Sequence, residues 1–145
     1  MFDKILLATD GSKTALKAAR IANDYLAQGI AKKVTVLHIV NPVVNAYYNP
    51  ELNSGIFEQI KTELQKKGEE VVEKTKEVFD SGANVEGVVK FGEGAAAICD
   101  FAADGYELII IGSRGMNPIS NLVLGSVSTR VIQYAPCPVL VVKPE

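Results

Sequence analysis

Three glycines and a group of hydroxyl side chains follow the apolar run 108–111. Gly112, Gly115 and Gly125 are spaced G-x2-G-x9-G, and Ser126 comes next. Glycine permits a positive φ and lets a ligand approach backbone N–H groups closely. We expect Gly125 and Ser126 to begin a helix, whose first N–H groups lack intrahelical acceptors and lie at the positive end of the helix dipole. This stretch therefore predicts a phosphate site.

The hydroxyls of this stretch belong to Ser126, Ser128 and Thr129. They could donate hydrogen bonds to phosphate oxygens, or they could cap the helix, which is the commoner role of such residues. Two standard nucleotide motifs are absent from the sequence. No G-x-x-x-x-G-K-[ST] supplies the lysine of a P-loop, and the first βα turn, TDGSKT, lacks G-x-G-x-x-G. Ordinary kinases, GTPases and dehydrogenases are thereby disfavoured.

Two charged side chains accompany this pattern. Asp10 follows the apolar run 5–8 and precedes Gly11 and Ser12. It could be a turn residue that bonds its own backbone, or its carboxylate could hold a ribose hydroxyl or a water bound to Mg²⁺. Arg114 lies between two of the glycines and could neutralise phosphate charge, or it could be an exposed loop arginine. The sequence leaves both pairs of alternatives open.

The other reactive side chains are few. His38, the only histidine, lies between Leu37 and Ile39, which favours a hydrogen-bonded histidine of a sheet over a catalytic base. Cys99 and Cys137 form no CxxC pair and have no neighbouring histidine, so we expect buried free thiols, without a disulfide or a zinc site. No nucleophilic triad can be assembled from these residues.

Length and composition predict a single domain, residues 1–145. The chain has 145 residues, of which 48% are hydrophobic and 22% charged, and a net charge of -2. This profile is typical of soluble globular proteins and includes no basic stripe for nucleic acid. No run approaches the ~18 apolar residues of a membrane helix, and the N-terminal stretch does not resemble a signal peptide. We expect a cytoplasmic protein without nucleic acid or membrane partners.

Five apolar runs alternate with segments of helical periodicity. Continuous runs rich in Ile and Val are typical of buried parallel strands, and the alternation indicates an α/β fold with an open, Rossmann-like sheet and helices on both faces. Ser12 is the predicted N-cap of the first helix, and Gly29 ends it. The predicted strands are 5–8, 34–40, 85–89, 108–111 and 139–142. The predicted helices carry Ala15, Ala19, Ala22 and Leu26; Ile56, Ile60, Leu64, Val71, Thr75 and Val78; Ala95, Ile98, Phe101 and Ala102; and Val127, Val131 and Ile132.

Five segments of the chain resemble the universal stress proteins of the ATP-binding subgroup. In order, they are LLATDGS, VLHIV, ELIIIGSRG, LGSVSTRVI with the G-x2-G-x9-G-S spacing, and CPVLVVK. The resemblance extends from Lys4 to Lys143. It implies a five-stranded parallel sheet in the order 3-2-1-4-5, with ATP bound across the C-terminal ends of strands one and four. The strand order reverses between these two strands, where open α/β sheets bind ligands.

The resemblance also implies the residues of the site and its ligand, ATP, and from the carboxylate of Asp10 we expect Mg²⁺ to accompany the ATP. Asp10, with Ala8 and Thr9, would border the adenosine, and the backbone of Ile39 would face adenine. Arg114 is the candidate cation beside them. The residues that would surround the ribose and phosphates are Gly112, Gly115, Gly125, Ser126 and Val127.

Two loops carry further expectations. The stretch 41–55 is rich in proline and asparagine and predicts a surface loop after the second strand. Its Tyr47 and Tyr48 could cover the adenine or lie on the surface. Pro118, within the glycine stretch, could give the loop over the phosphates a path that differs from that in relatives.

Three functions fit the sequence. The leading hypothesis is an ATP-binding stress-response or regulatory module that changes a partner or its own assembly with nucleotide state, because no catalytic base or acyl nucleophile is evident. The second is a slow Mg²⁺-dependent ATPase or nucleotide hydrolase that uses Asp10. The third is a nucleotide-free dimeric interaction protein. Against the third, we argue that a chain freed from binding ATP has no packing reason to keep three such glycines.

The last predicted strand, Val139–Val142, predicts a homodimer. It is apolar and would lie at an edge of the sheet, where its unpaired N–H and C=O groups could pair with the same strand of a second copy. The resemblance implies the same dimer.

Overall fold

The computed structural model describes residues 1–42, 54–115 and 124–145. Within these residues, five strands alternate with four helices, as the sequence predicts. The strands are β1 (Phe2–Ala8), β2 (Ala31–Val40), β3 (Val85–Phe91), β4 (Leu108–Gly112) and β5 (Val139–Val142). The helices are α1 (Lys13–Ala27), α2 (Ser54–Lys76), α3 (Gly94–Ala102) and α4 (Ser126–Tyr134). The predictions for Tyr47, Tyr48 and Pro118 lie outside the described residues.

The strands form one parallel sheet in the order β3-β2-β1-β4-β5. The register pairs Leu7 of β1 with Val36 on one side and with Ile110 on the other. The predicted order 3-2-1-4-5 is therefore confirmed. The chain proceeds from β1 through β2 to β3 on one side, and then through β4 to β5 on the other side of β1. The crevice at this reversal lies at the C-terminal ends of β1 and β4.

The sheet separates two apolar cores. Leu7 and Ile110 point to the side of α1 and α2, whereas Leu6 and Ile109 point to the side of α3 and α4. All five residues of β4 are buried, which explains why its sequence is continuously apolar rather than alternating. β1 and β2 begin earlier than predicted, at Phe2 and Ala31, because their backbones continue to pair where the side chains become polar.

The helix ends agree with the sequence signals. Ser12 caps α1, its Oγ accepting a hydrogen bond from Ala15 N at 3.2 Å, and Gly29 follows the helix with φ 73°. α2 ends at Lys76, so Val78 lies beyond it. Of the apolar residues predicted for α4, only Val131 is buried; Val127 and Ile132 are 39% and 45% exposed. No helix in the described ranges is long and apolar enough to cross a membrane.

Candidate functional site

A groove of about 400 Å³ opens at the C-terminal ends of β1 and β4. One wall is the turn between β1 and α1, and the facing wall is formed by the residues after β4 and the start of α4. The groove brings together all ten residues that the sequence analysis assigned to the site, although their role in binding stays a prediction. They are Ala8, Thr9, Asp10, Ile39, Gly112, Arg114, Gly115, Gly125, Ser126 and Val127.

Asp10 uses its two carboxylate oxygens differently. Its Oδ1 accepts a hydrogen bond from Ser12 N at 2.9 Å, which is the backbone contact of a turn aspartate. Its Oδ2 lies 3.0 Å from the point where a Cβ on Gly115 would be, so this oxygen crosses the groove toward the glycine stretch. The turn contact is confirmed, and it leaves the second oxygen facing the groove.

His38 holds the peptide that precedes Asp10. Its Nδ1 lies 2.8 Å from the carbonyl oxygen of Thr9, and because a carbonyl can only accept, Nδ1 carries the proton. The ring is half-buried and borders the groove. The prediction of a hydrogen-bonded histidine of the sheet is confirmed, and the contact fixes the end of β1.

None of the three glycines of the motif has the positive φ that glycine permits. The described glycines with positive φ are Gly11, Gly29, Gly82 and Gly105. Gly112 instead lies in β4 against α1, where a Cβ would be 2.9 Å from Thr14 Cγ2 and 3.3 Å from the Thr14 backbone carbon. The argument that these glycines have no packing reason is therefore wrong for Gly112, because α1 approaches the strand too closely for a side chain.

Gly125 is in a different situation. It has φ -76°, an ordinary value for any residue. Among the described residues, its added Cβ would meet Ser113 O at 3.4 Å and the Arg114 Cα at 4.0 Å. Both are normal van der Waals distances. Neither packing nor backbone conformation in the described chain requires a glycine at this position, which borders the groove.

Gly125 is also the N-cap of α4, and among the residues that the structure describes no side-chain cap hydrogen bond is made there. Ser128 Oγ donates to Gly112 O at 2.7 Å, and Thr129 Oγ1 donates to Gly125 O at 2.8 Å. Capping, the commoner alternative, is thus wrong for the hydroxyls of Ser128 and Thr129. Ser126 is exposed at the groove. The start of α4 therefore presents an uncapped helix N-terminus to the groove, which is a favourable environment for an anion.

Arg114 is the one Lys or Arg among the groove residues that the structure describes. It is half-buried, and its Nε is inaccessible to solvent and has no hydrogen-bond partner in the described part of the chain. The alternative of an exposed loop arginine is therefore wrong. The Cα of Arg114 lies 4.0 Å from the point where a Cβ on Gly125 would be, so this residue brings a positive charge near the start of α4. Asp10 is the acidic side chain among the described groove residues.

The universal stress protein family model matches residues 1–143. The chain belongs to the universal stress protein family. It is 34% identical to universal stress protein YxiE of Bacillus subtilis over 99% of this chain and all of that protein. Its fold is similar to that of the hypothetical protein MJ0577, with 29% identity, a TM-score of 0.78, and coverage of 100% of this chain and 98% of the other.

A third similarity is to the universal stress protein of Archaeoglobus fulgidus in complex with dAMP. The identity is 22% and the TM-score 0.60, with coverage of 99% of this chain and 98% of the other. At this identity the likeness shows the fold alone.

Sequence reasoning missed part of the groove of this universal stress protein. Gly94 and Ile98 of α3, with Leu37 and Ile111 of the sheet, complete an apolar wall beside Ile39. Ile98 was predicted on the apolar face of its helix, but a core residue and a groove residue have the same sequence signal. Only the approach of α3 to α4, where a Cβ on Gly94 would lie 3.5 Å from Val127 Cγ2, shows that this wall reaches the site.

The two cysteines lie outside the groove and are free. Cys99 is buried and Cys137 half-buried. Burial raises the pKa of each thiol above its ordinary value. Since the thiolate is the reactive form, both cysteines are poorly suited to nucleophilic or redox chemistry. The prediction of buried free thiols is therefore confirmed for Cys99, whereas Cys137 is free but only half-buried.

Proposed function

We propose that this chain is a single-domain (1–145), cytoplasmic universal stress protein of the ATP-binding subgroup, which responds to stress through nucleotide-dependent binding of a partner. The observation that carries the proposal is the uncapped start of α4 at Gly125, which has space for a side chain but none present, and which faces the groove. A phosphate oxygen would occupy that space and accept from the first N–H groups of the helix.

The rest of the groove fits an adenine nucleotide. Arg114 lies on the phosphate side, where its guanidinium can form charge-assisted hydrogen bonds. Asp10 Oδ2, directed at Gly115, is placed to accept from a ribose hydroxyl. The apolar wall of Leu37, Ile39 and Ile98 suits a flat base. The dAMP bound by the Archaeoglobus fulgidus protein of this fold is consistent with the same class of ligand.

Mg²⁺ fits this groove as a companion of the nucleotide. Magnesium is commonly bound by one or two carboxylates together with substrate phosphates, and Asp10 is the carboxylate available in the groove. The ion would neutralise phosphate charge, which Arg114 and the start of α4 only partly offset. We therefore expect ATP to bind much more weakly without Mg²⁺ than with it.

Slow Mg²⁺-dependent ATP hydrolysis is a second candidate, favoured by the free Oδ2 of Asp10. Phosphoryl transfer depends mainly on positioning and charge stabilisation, so a site with few reactive groups can support it. Phosphate release that requires Mg²⁺, and that Asp10→Ala abolishes while nucleotide binding persists, would establish this activity.

The assembly we propose is a homodimer through β5. This strand, Val139–Val142, is an edge of the sheet, and Val139, Leu140 and Val141 are only half-buried in one chain. Pairing with a second β5 would satisfy both edges. Sedimentation at micromolar concentration tests it, and a monomer would contradict the proposal.

The nucleotide proposal is tested by calorimetric titration of nucleotide-free protein with ATP, with and without Mg²⁺, and with AMP. We expect saturable binding of ATP with Mg²⁺, lost in the double variant Gly125→Val with Ser126→Ala. Ser81→Ala, an exposed serine in the turn before β3, is the control and should bind like the wild type. Absence of binding by the wild type would contradict the proposal and favour the nucleotide-free dimeric interaction protein.

A further inference from the structure

A chain of hydrogen bonds connects the turn that carries Asp10 to helix α2. Gly11 N donates to Thr9 Oγ1 at 3.1 Å, and Thr9 Oγ1 lies 2.8 Å from Thr75 Oγ1. Thr75 Oγ1 in turn donates its one proton to the carbonyl of Val71 at 2.9 Å. Thr9 must therefore be the donor to Thr75. Every proton in this chain has a determined direction, from the turn toward the helix.

The same face of α2 makes two more contacts with the turn. Lys74 Nζ donates to Gly11 O at 3.1 Å, and Val71 packs where a Cβ on Gly11 would lie, 3.5 Å from its Cγ1. Positions 71, 74 and 75 are neighbours on one side of a helix. The turn is thus attached to α2 by the Gly11 carbonyl and the Thr9 side chain, and the Gly11 amide is bonded to that side chain.

Thr75 is unusual for its position. It is fully buried beside the apolar core between α2 and the sheet, a place where valine would occupy nearly the same volume. Its bond to Val71 is one that any helical threonine can make to the preceding turn. The contact that only this residue makes is with Thr9, immediately before Asp10. The contact specific to this buried hydroxyl is therefore its hydrogen bond to the turn.

We propose that Thr75 is a positioning residue for the nucleotide site, which holds the turn of residues 9–12 so that Asp10 Oδ2 faces Gly115. This inference rests on the proposed function. Without the Thr75 hydroxyl, the buried Thr9 hydroxyl loses its acceptor and must reorient to find another, and the Gly11 amide that depends on it moves as well. This movement would displace Asp10 and weaken its contact with the ligand.

The experiment is a double-mutant cycle of nucleotide affinity with Thr75→Val and Asp10→Ala, measured calorimetrically with ATP and Mg²⁺. We expect Thr75→Val to weaken binding about three- to tenfold, the effect of one neutral hydrogen bond. Thr75→Ser, which restores the hydroxyl, should bind within about twofold of the wild type. In the Asp10→Ala background, Thr75→Val should cause no further loss, because the contact it supports is already gone.

Thr62→Val is the matched control. Thr62 lies on the same helix and donates to the carbonyl four residues earlier, Glu58 O, at 2.9 Å, but it is exposed and distant from the turn. Its substitution should leave affinity unchanged. If Thr75→Val proves too unstable to titrate, Thr9→Val removes the other hydroxyl and should show the same dependence on Asp10.

Two results would overturn the inference while the proposed function stands. One is wild-type affinity in Thr75→Val; the other is an equal loss of affinity with and without Asp10, which would mean a general structural effect. If the wild type itself binds no nucleotide, the proposed function fails first and the positioning role fails with it. The two failures are thus distinguished by the wild-type titration.

Discussion

Gly112 and Gly125 belong to the same sequence motif and border the same groove, but they lack a side chain for different reasons. At Gly112, helix α1 leaves no space, because Thr14 Cγ2 would lie 2.9 Å from a Cβ. At Gly125 a Cβ fits among the described residues, of which the nearest atom would lie at 3.4 Å. The first glycine is required by the fold itself. For the second, we propose that a ligand occupies the space beside the helix start.

Each glycine of a motif should therefore be tested for a packing role before the motif is used as evidence of ligand binding. The spacing of the motif does not distinguish Gly112, at the end of β4, from Gly125, at the start of α4. In the structure, the strand end serves packing on α1, whereas the helix start is uncapped and open to the groove. The two glycines can therefore be separated by experiment, since one should affect folding and the other binding.

Gly112→Ala should produce the largest effect on stability. We expect a loss of about 1–3 kcal/mol in the free energy of unfolding, because an overpacked methyl group forces α1 away from β4. Denaturant unfolding measures it. Adding Thr14→Ser, which removes the clashing Cγ2, should restore part of the loss. An unchanged unfolding midpoint in Gly112→Ala would show that α1 yields easily and would remove the distinction between the two glycines.

Gly125→Ser is the complementary change. Serine is a good N-cap residue and Gly125 has extended backbone angles, φ -76° and ψ 169°, so stability should stay within a few tenths of a kcal/mol or rise slightly. Affinity for ATP with Mg²⁺ should fall by about tenfold or more, or 1.4 kcal/mol, as the new side chain fills the phosphate position and caps the helix. Retained affinity with raised stability would mean that the ligand does not approach the helix start.

Ser128 connects the two regions, and Ser128→Ala tests how far they depend on each other. Its buried hydroxyl donates to Gly112 O at 2.7 Å. Removing it leaves that carbonyl without this donor, so we expect a loss of about 1 kcal/mol of stability. The loss should be the same with and without bound nucleotide. A loss that appears only in the presence of nucleotide would instead assign the hydroxyl to the ligand.

Much of the fold could be predicted from the sequence because its signals are local or periodic. Apolar runs indicated the strands, Ser12 and Gly29 marked the ends of α1, and the resemblance supplied the strand order. The ten proposed site residues converge on one groove because parallel strands end at the same edge of a sheet. The starts of β1 at Phe2 and of β2 at Ala31 were missed. Their first residues include charged side chains, which interrupt the apolar run although the backbones still pair.

The contacts that were missed are those between residues distant in the chain. The space available for a side chain at Gly112 depends on how closely Thr14 approaches. The proposed roles of Thr9 and Thr75 depend on a hydrogen bond between residues 66 positions apart in the sequence. Residue type carries no signal for either. Ser128 and Thr129 illustrate the same point, because adjacent hydroxyls on one helix turn bond to carbonyls of different elements.

Thr129→Ala should have the smallest effect and completes the comparison of the hydroxyls. Thr129 is exposed, is not among the groove residues, and donates only to Gly125 O in its own helix, a bond that contributes little to helix stability. Since alanine is the better helix former, unfolding free energy should change by less than about 0.5 kcal/mol, and nucleotide affinity should not change. If affinity falls as it should in the double variant Gly125→Val with Ser126→Ala, the phosphates must extend past the first turn of α4, and the binding surface would be larger than the groove between Asp10 and Gly125.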